Sequence, residues 1–194
     1  LPSLAERLRQ RSGRDVHLLP NAVNLRLFDP RHEYDRPTDL PHAEWTIIYI
    51  GALWGDWFDW ELLVAVAERY RDAAVVVIGN YRGQCPSVPD NLHFLGLKPQ
   101  RVLPSYLAHA DVAIIPWRVN EITQATSPLK VYEYVAMRKP VVAPDLPALV
   151  DVPLVLRSRD RVEFLANIER ARTIQCSGEV DMFVQANSWE RRVA

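Results

Sequence analysis

The chain has no apolar run near the roughly 20 residues that a membrane span needs, and no stretch with the charged, apolar and small-residue regions of a secretory leader. Its two cysteines, Cys85 and Cys176, lie far apart and have no metal-ligand spacing. They are expected to be reduced thiols in a cytoplasmic protein. The five histidines, His17, His32, His42, His93 and His109, form no close ligand pair on a helix, and no cysteine cluster supplements them. A structural zinc site is therefore not expected, and no metal is assigned. Neither sign of charge dominates: 23 basic and 24 acidic residues leave a formal net charge of −1, with Lys and Arg scattered. Nothing draws the whole chain toward nucleic acid or an anionic membrane, so any anion site must be local. There is no GxSxG, no Cys–His arrangement and no P-loop, which removes nucleophilic hydrolysis and P-loop phosphoryl transfer. Internal repeats and low-complexity tracts are also absent.

What is present is a core. At 194 residues and 48% hydrophobic content the chain is long enough to fold as one domain, residues 1–194. It opens on LPSLAERLRQR, which reads as the second half of a helix without an initiating Met, so a longer parent protein is expected. Short β-rich runs alternate with helical patterns, the mark of a parallel sheet covered by helices on both faces. The predicted strands are Val16–Leu19, Thr46–Ile50, Ala74–Ile78, Leu92–Leu95, Val112–Ile115, Val141–Ala143 and a last one at Leu154–Leu156. The runs IIYI, AVVVI, VAIIP and PVVA lack polar alternation, as strands buried on both faces do. Helical spacing covers Trp60–Tyr70, Leu103–His109, Pro128–Met137, Arg161–Ile174 and Val180–Arg192. Residues Asn24–Glu44, rich in Pro, Asp, Arg and His, read as a long surface connection. The fold class is α/β, a doubly wound, Rossmann-like parallel sheet.

The most informative stretch is Asp111–Asp145, which reads as strand, long polar loop, helix, return and strand. In open parallel sheets the ligand crevice lies beyond the carboxyl ends of the strands, and a helix N-terminus facing it offers unpaired N–H groups to an anion. Ser127 is the natural cap and Pro128 the natural first residue of the helix. Lys130 follows in the first turn, on the same face as Glu133 and Tyr134. A cation there opposes the helix dipole, which suggests a partner outside the helix. The alternative is a solvated Lys–Glu pair of little consequence. The loop Trp117–Thr126 runs ten residues without strand or helix pattern, longer than such connections usually are, which favours ligand binding. Arg118, Asn120, Glu121, Thr123, Gln124, Thr126 and Ser127 are its polar candidates.

Two further stretches adjoin the same crevice. GALWGDWFDW, Gly51–Trp60, follows a strand; Gly51 would let backbone approach a phosphate, although the spacing is not GxGxxG. Asp56 or Asp59 would cap the next helix, and Trp57 and Phe58 are either core or crevice wall. The DxxD spacing finds no further oxygen ligands for a divalent cation. In NYRGQ, Asn80, Tyr81 and Arg82 would line the crevice, with Tyr81 suited to stack on a base. Asn21, in LLPNAVN, reads as a conformational turn residue.

Taken in order, LLPNAVNLRLF, YIGALWGDWFDWELL, AVVVIGN, NLHFLG, LPSYLAHADVAIIPW, SPLKVYEYVAMRKPVVA and ANSWERR resemble the C-terminal, donor-binding domain of group 1 glycosyltransferases of the GT-B architecture. The segments WFDWELL and SPLKVYEY are most similar to a subgroup that builds bacterial cell-surface polysaccharides. The resemblance implies a nucleotide-diphosphate sugar, UDP- or GDP-linked, as donor substrate, with no other cofactor. It implies that Glu133 holds the ribose, and that Thr126, Ser127, Leu129 and Lys130 contact the diphosphate. Many members carry a Glu-x7-Glu pair whose first Glu meets the donor sugar; here that position is Ala125, leaving Asn120, Glu121 or Gln124 as substitutes. The Arg and Lys that many members place after the first glycine-containing strand are absent too, so Lys130 with Arg118 would supply the catalytic positive charge. The helix return carries Arg138 where the family usually has Gly, at a cost on the order of 1 kcal/mol for a left-handed cap. A saccharide or lipid-linked acceptor, and peripheral membrane association, would come through an N-terminal domain outside this chain. A nucleotide-binding module without activity and a nucleotide-sugar epimerase are the alternatives.

Overall fold

The computed structural model describes residues 2–80 and 88–193. The predicted alternation folds into one parallel sheet of six strands: β1 (Trp45–Ile50), β2 (Ala73–Ile78), β3 (Leu92–Phe94), β4 (Val112–Ile114), β5 (Val141–Pro144) and β6 (Val155–Ser158). Their order is β3-β2-β1-β4-β5-β6. The chain thus winds outward from the centre in one direction, returns, and winds outward in the other. The ligand crevice of such a sheet lies where that direction changes, between β1 and β4.

The sheet is buried because helices cover both faces. Strand residues alternate between them: Ile48, Ile50, Val76 and Ile78 join one core layer, while Ile47, Tyr49, Val75 and Val77 join the other. The first layer is closed by α3 (Leu103–Ala108), α5 (Leu129–Ala136) and α7 (Gly178–Ala186) through Leu107, Tyr134, Val135 and Val180. The second is closed by α2 (Trp60–Arg69) and α6 (Arg161–Ala171) through Leu63, Val66, Phe164 and Ile168. Two further helices are α1 (Pro2–Ser12) at the start and the short α4 (Glu121–Gln124) inside the long loop. Among the described residues no helix is long and apolar enough to cross a membrane.

Several expectations are corrected. Val16–Leu19 is not a strand; Leu18 and Leu19 are exposed, and the sheet ends on β3 and β6 without reaching them. Only Val23, further on, makes a bridge, to Ser188. That bridge also explains why the last predicted helix is two, α7 and α8 (Trp189–Val193). The Val23 N–H donates to the Asn187 carbonyl and the Trp189 N–H to the Val23 carbonyl, so the helical ladder is interrupted at Asn187–Ser188. The Asn24–Glu44 segment has no helix or strand, as expected, yet Phe28 and Leu40 are fully buried in the first core layer. Asp39 fastens it to α3 through Tyr106 at 2.7 Å and to Lys98 at 2.5 Å.

The return from α5 is as the sequence suggests. Arg138 has φ 57°, with its N–H on the Val135 carbonyl and the Lys139 N–H on the Tyr134 carbonyl, a Schellman ending in a non-glycine residue.

At the carboxyl edge the turns after β1 and β2 touch through backbone. A methyl at Gly79 would lie 1.7 Å from the Gly51 carbonyl oxygen, with no flexible side chain to yield. Gly79→Ala is therefore expected to cost about 2–3 kcal/mol, in the range for overpacked cores, and to lower the thermal midpoint by about 6 °C. An unchanged midpoint in a calorimetric scan would show that the two turns can separate freely.

Candidate functional site

The loops that leave β1 and β4 meet over the point where the sheet changes direction. Asp59 donates its N–H to the Pro116 carbonyl at 2.9 Å, Arg118 donates to the Trp57 carbonyl at 2.8 Å, and Phe58 and Trp117 form an antiparallel bridge. Side chains reinforce this join. Trp57 and Trp117 meet edge to face at 5.1 Å, Phe58 and Trp60 at 4.9 Å, and the Trp117 indole N–H donates to the Tyr49 hydroxyl at 3.3 Å. Tyr49 in turn donates to the Ala52 carbonyl at 2.9 Å, and burial holds its phenol above the usual tyrosine range. Phe58 is core, whereas Trp57 is half-buried between core and crevice. Asp59 caps α2 by accepting from Leu62 N–H at 3.0 Å, which settles the choice between the two aspartates. Among the described residues no three His, Cys, Asp or Glu side chains gather where they would hold a metal ion.

Gly51 sits in this join. Its N–H donates to the Ile78 carbonyl at 2.9 Å, so it is spent on the sheet edge, and a Cβ there would lie 2.5 Å from the Tyr49 hydroxyl. Tyr81, Arg82 and Cys85 lie outside the described residues.

On the other side of the crevice stands α5. Tyr134, fully buried, turns its hydroxyl to the end of β1, accepting from Ile50 N–H at 2.7 Å and lying 3.2 Å from the Ile50 carbonyl oxygen. Burial raises this phenol well above its ordinary value, with the charge on Glu133 adding to the effect. It stays a neutral hydroxyl. The helix it anchors begins one residue later than predicted. Pro128, with ψ 112°, is the N-cap, and no side chain caps the helix. Because Pro128 is itself extended, Ser127 falls one residue before the cap position; its hydroxyl lies 3.4 Å from that of Tyr132 instead. The first N–H groups of a helix have no acceptor within it, and those of Leu129 and Lys130 meet none among the described residues.

Glu133 is only 2% exposed. The solvated-pair reading therefore fails: the Lys130 ammonium meets one carboxylate oxygen at 2.8 Å, and the Gln100 amide donates to the other at 3.1 Å. Neither Gln100 nor its role was readable from sequence, since only the packing of α3 beside α5 brings residues 33 apart together. Asn21 was likewise missed. Its amide donates to the Ser127 carbonyl at 2.7 Å, 106 residues away, and ties the entrance of α5 to the segment after the first helix.

The long loop is more ordered than its sequence pattern suggests. Asn120 and Thr123 form a capping box around α4, Thr123 is buried, and Thr126 donates to the Ile122 carbonyl at 2.6 Å. The N-x-x-T spacing was the available signal. Asn120 and Thr123 are thus engaged within the loop, while Glu121 and Gln124 stay exposed. The Arg118 guanidinium lies 3.9 Å from Asp59 and lines a 320 Å³ hollow with Trp117, Ser158, Asp160 and Phe164, on the side of the sheet covered by α2 and α6.

Comparison with known proteins agrees with this geometry. The family model for glycosyl transferases group 1 matches residues 44–186, and the chain belongs to that family. A relative in Bacillus subtilis (strain 168), TuaH, assigned as a teichuronic acid biosynthesis glycosyltransferase, is 34% identical over 145 residues, covering 71% of this chain and 36% of its own. Among solved structures, sucrose-phosphate synthase from Thermosynechococcus elongatus superposes with TM-score 0.68 at 21% identity, over 96% of this chain and 53% of that one. A TarM variant from S. aureus, in complex with fondaparinux, α-GlcNAc-glycerol and UDP, gives TM-score 0.65 at 13% identity, over 97% of this chain and 40% of that one. The fold is the Rossmann-like α/β fold of these transferases. The chain spans about half, or less, of the length of each of these proteins.

Tyr134→Phe leaves the buried Ile50 N–H without its acceptor. A loss of about 1–3 kcal/mol is expected for an orphaned donor, read as a lower midpoint in chemical unfolding. A variant as stable as the parent would mean that the hydroxyl does not hold α5 on β1.

Proposed function

We propose that this chain is the donor-binding, C-terminal half of a GT-B glycosyltransferase that takes a UDP- or GDP-sugar. The observation that carries the proposal is the buried Glu133 carboxylate at the uncapped start of α5, with Lys130 one turn before it. A carboxylate is an acceptor for the paired hydroxyls of a ribose. The N–H groups of Leu129 and Lys130, the Lys130 ammonium and the Ser127 hydroxyl form a donor set of the kind a diphosphate requires, beside Thr126, whose N–H and hydroxyl both donate within the loop. That TarM was solved with UDP supports the same ligand class here.

In sugar transfer, negative charge builds on the departing diphosphate as the anomeric carbon becomes oxocarbenium-like. Fixed donors aimed at that charge lower the barrier more than uniform binding does. Lys130 and the helix start do this without calling on a metal. Arg118, half-exposed at the root of the long loop, is a further cation at the carboxyl edge. The acceptor, a saccharide or lipid-linked saccharide, is bound by the N-terminal half of the full-length protein at the inner face of the membrane. Kinship with TuaH supports a place in bacterial cell-surface polysaccharide synthesis. The chain alone binds nucleotide and does not turn over.

Calorimetric titration with UDP, GDP, ADP and dTDP tests this. One nucleotide is expected to bind saturably, and Glu133→Ala and Lys130→Ala should each weaken it about tenfold or more, since hydrogen bonds to charged groups contribute roughly 1.5–3 kcal/mol. Absence of binding by all four, or undiminished binding by Glu133→Ala, would overturn the assignment; sustained sugar transfer by the chain alone would remove the need for a second half.

A further inference from the structure

The two residues assigned to ribose and diphosphate hold each other. Lys130 Nζ stands 2.8 Å from one Glu133 oxygen and Gln100 Nε2 stands 3.1 Å from the other, and the carboxylate is 2% exposed beneath them. In this arrangement no ribose can reach Glu133. Lys130 is the more accessible partner, with 27% of its side chain exposed at the first turn of α5, beside the free helix N–H groups. Gln100 comes from a different segment, the 3-10 turn Gln100–Val102 ahead of α3.

We infer that Lys130 is a latch that nucleoside diphosphates open and nucleosides alone do not. The inference rests on the nucleotide-sugar reading and deepens it. Gln100 is a positioning residue: it keeps its oxygen of Glu133 throughout and fixes the plane of the carboxylate. The other oxygen changes partner. An arriving diphosphate draws the Lys130 ammonium off Glu133 toward itself, and the ribose hydroxyls take the position that the ammonium leaves. Lys130 thus exchanges one anion for another, and the carboxylate keeps hydrogen bonds to both oxygens, from Gln100 and the ribose hydroxyls, which matters because a buried carboxylate stripped of its partners is strongly unfavourable. A nucleoside without phosphates must break the same ion pair and offers Lys130 nothing in return. Its apparent affinity is lowered by the rarity of the open state. The latch therefore discriminates for the diphosphate beyond what the phosphate contacts themselves contribute, and it keeps the site shut against free nucleosides.

The distinguishing feature is a change of opposite sign in two affinities. Uridine, UDP, guanosine and GDP are titrated into the full chain and into Lys130→Met, which keeps the aliphatic stem and removes the charge. For the base that the parent accepts, the variant is expected to weaken the diphosphate about tenfold and to tighten the nucleoside about threefold or more, because the closed state is gone. A parent that binds UDP or GDP, with a variant whose nucleoside affinity is unchanged or weaker, overturns the latch and leaves the donor-site reading standing. A parent that binds neither diphosphate overturns both. A second measurement needs no variant: saturating inorganic diphosphate should tighten nucleoside binding to the parent about threefold or more by holding Lys130 away, as reciprocal coupling requires. Nucleoside affinity indifferent to inorganic diphosphate would overturn the latch independently of how Lys130→Met folds.

Discussion

The hydroxyl of Tyr134 against the backbone of Ile50 is the contact on which the crevice depends. β1 pairs with β4 only at Ile47 and Ile48, so by Ile50 the sheet is already parting on that side. The unpaired N–H of Ile50 needs an acceptor, and a helical side chain provides it in place of a strand. One tyrosine thereby fills the gap where the sheet changes direction and sets the height and rotation of α5 above it. Because Glu133 directly precedes Tyr134 and Lys130 lies one turn earlier, fixing that hydroxyl also fixes where the carboxylate and the ammonium stand. The chemistry of the site follows from a backbone valence left over at the end of a strand.

The start of α5 is placed by a second long-range tether, Asn21 to Ser127. Proline at the N-cap leaves the helix without a side-chain acceptor of its own, whereas α2 and α6 are capped by Asp59 and Asp160. The helices capped by these aspartates cover one face of the sheet, while α5, like α3 and α7 without a side-chain cap, covers the other. The first N–H groups of α2 and α6 are thus met by a cap of the helix's own, and those of α5 are not.

Much of this was legible in the sequence, for physical reasons that can be named. β1, β2, β4 and β5 were readable because strands buried on both faces need unbroken apolar runs, and α5 because Val131, Tyr134 and Val135 recur at helical spacing. The resemblance of SPLKVYEYVAMRKPVVA to group 1 transferases pointed to Glu133 before any geometry was available. What stayed hidden is non-local. Gln100 looked like any polar residue near a helix start, Asn21 like a turn residue, and Val16–Leu19 like a strand, because pairing partners are set by the assembled sheet and not by the segment. The order within the long loop was missed for a smaller reason: a single capped turn at Asn120–Thr123 is too short to show periodicity.

The join between the two crevice loops has its own consequence for how such a site can diverge. Trp57 to Asp59 and Pro116 to Arg118 are bonded through backbone atoms, which any side chain can preserve, while the aromatic faces of Trp57, Phe58 and Trp117 lock them in register. The hinge line of the long loop is thus pushed forward to Val119, and the stretch from there to Ala125 hangs from a braced frame with Val119, Ile122, Glu121 and Gln124 turned outward. Drift in that stretch can reshape what the crevice meets at its rim without disturbing the sheet beneath, so the fold separates a braced grip from an interchangeable tip.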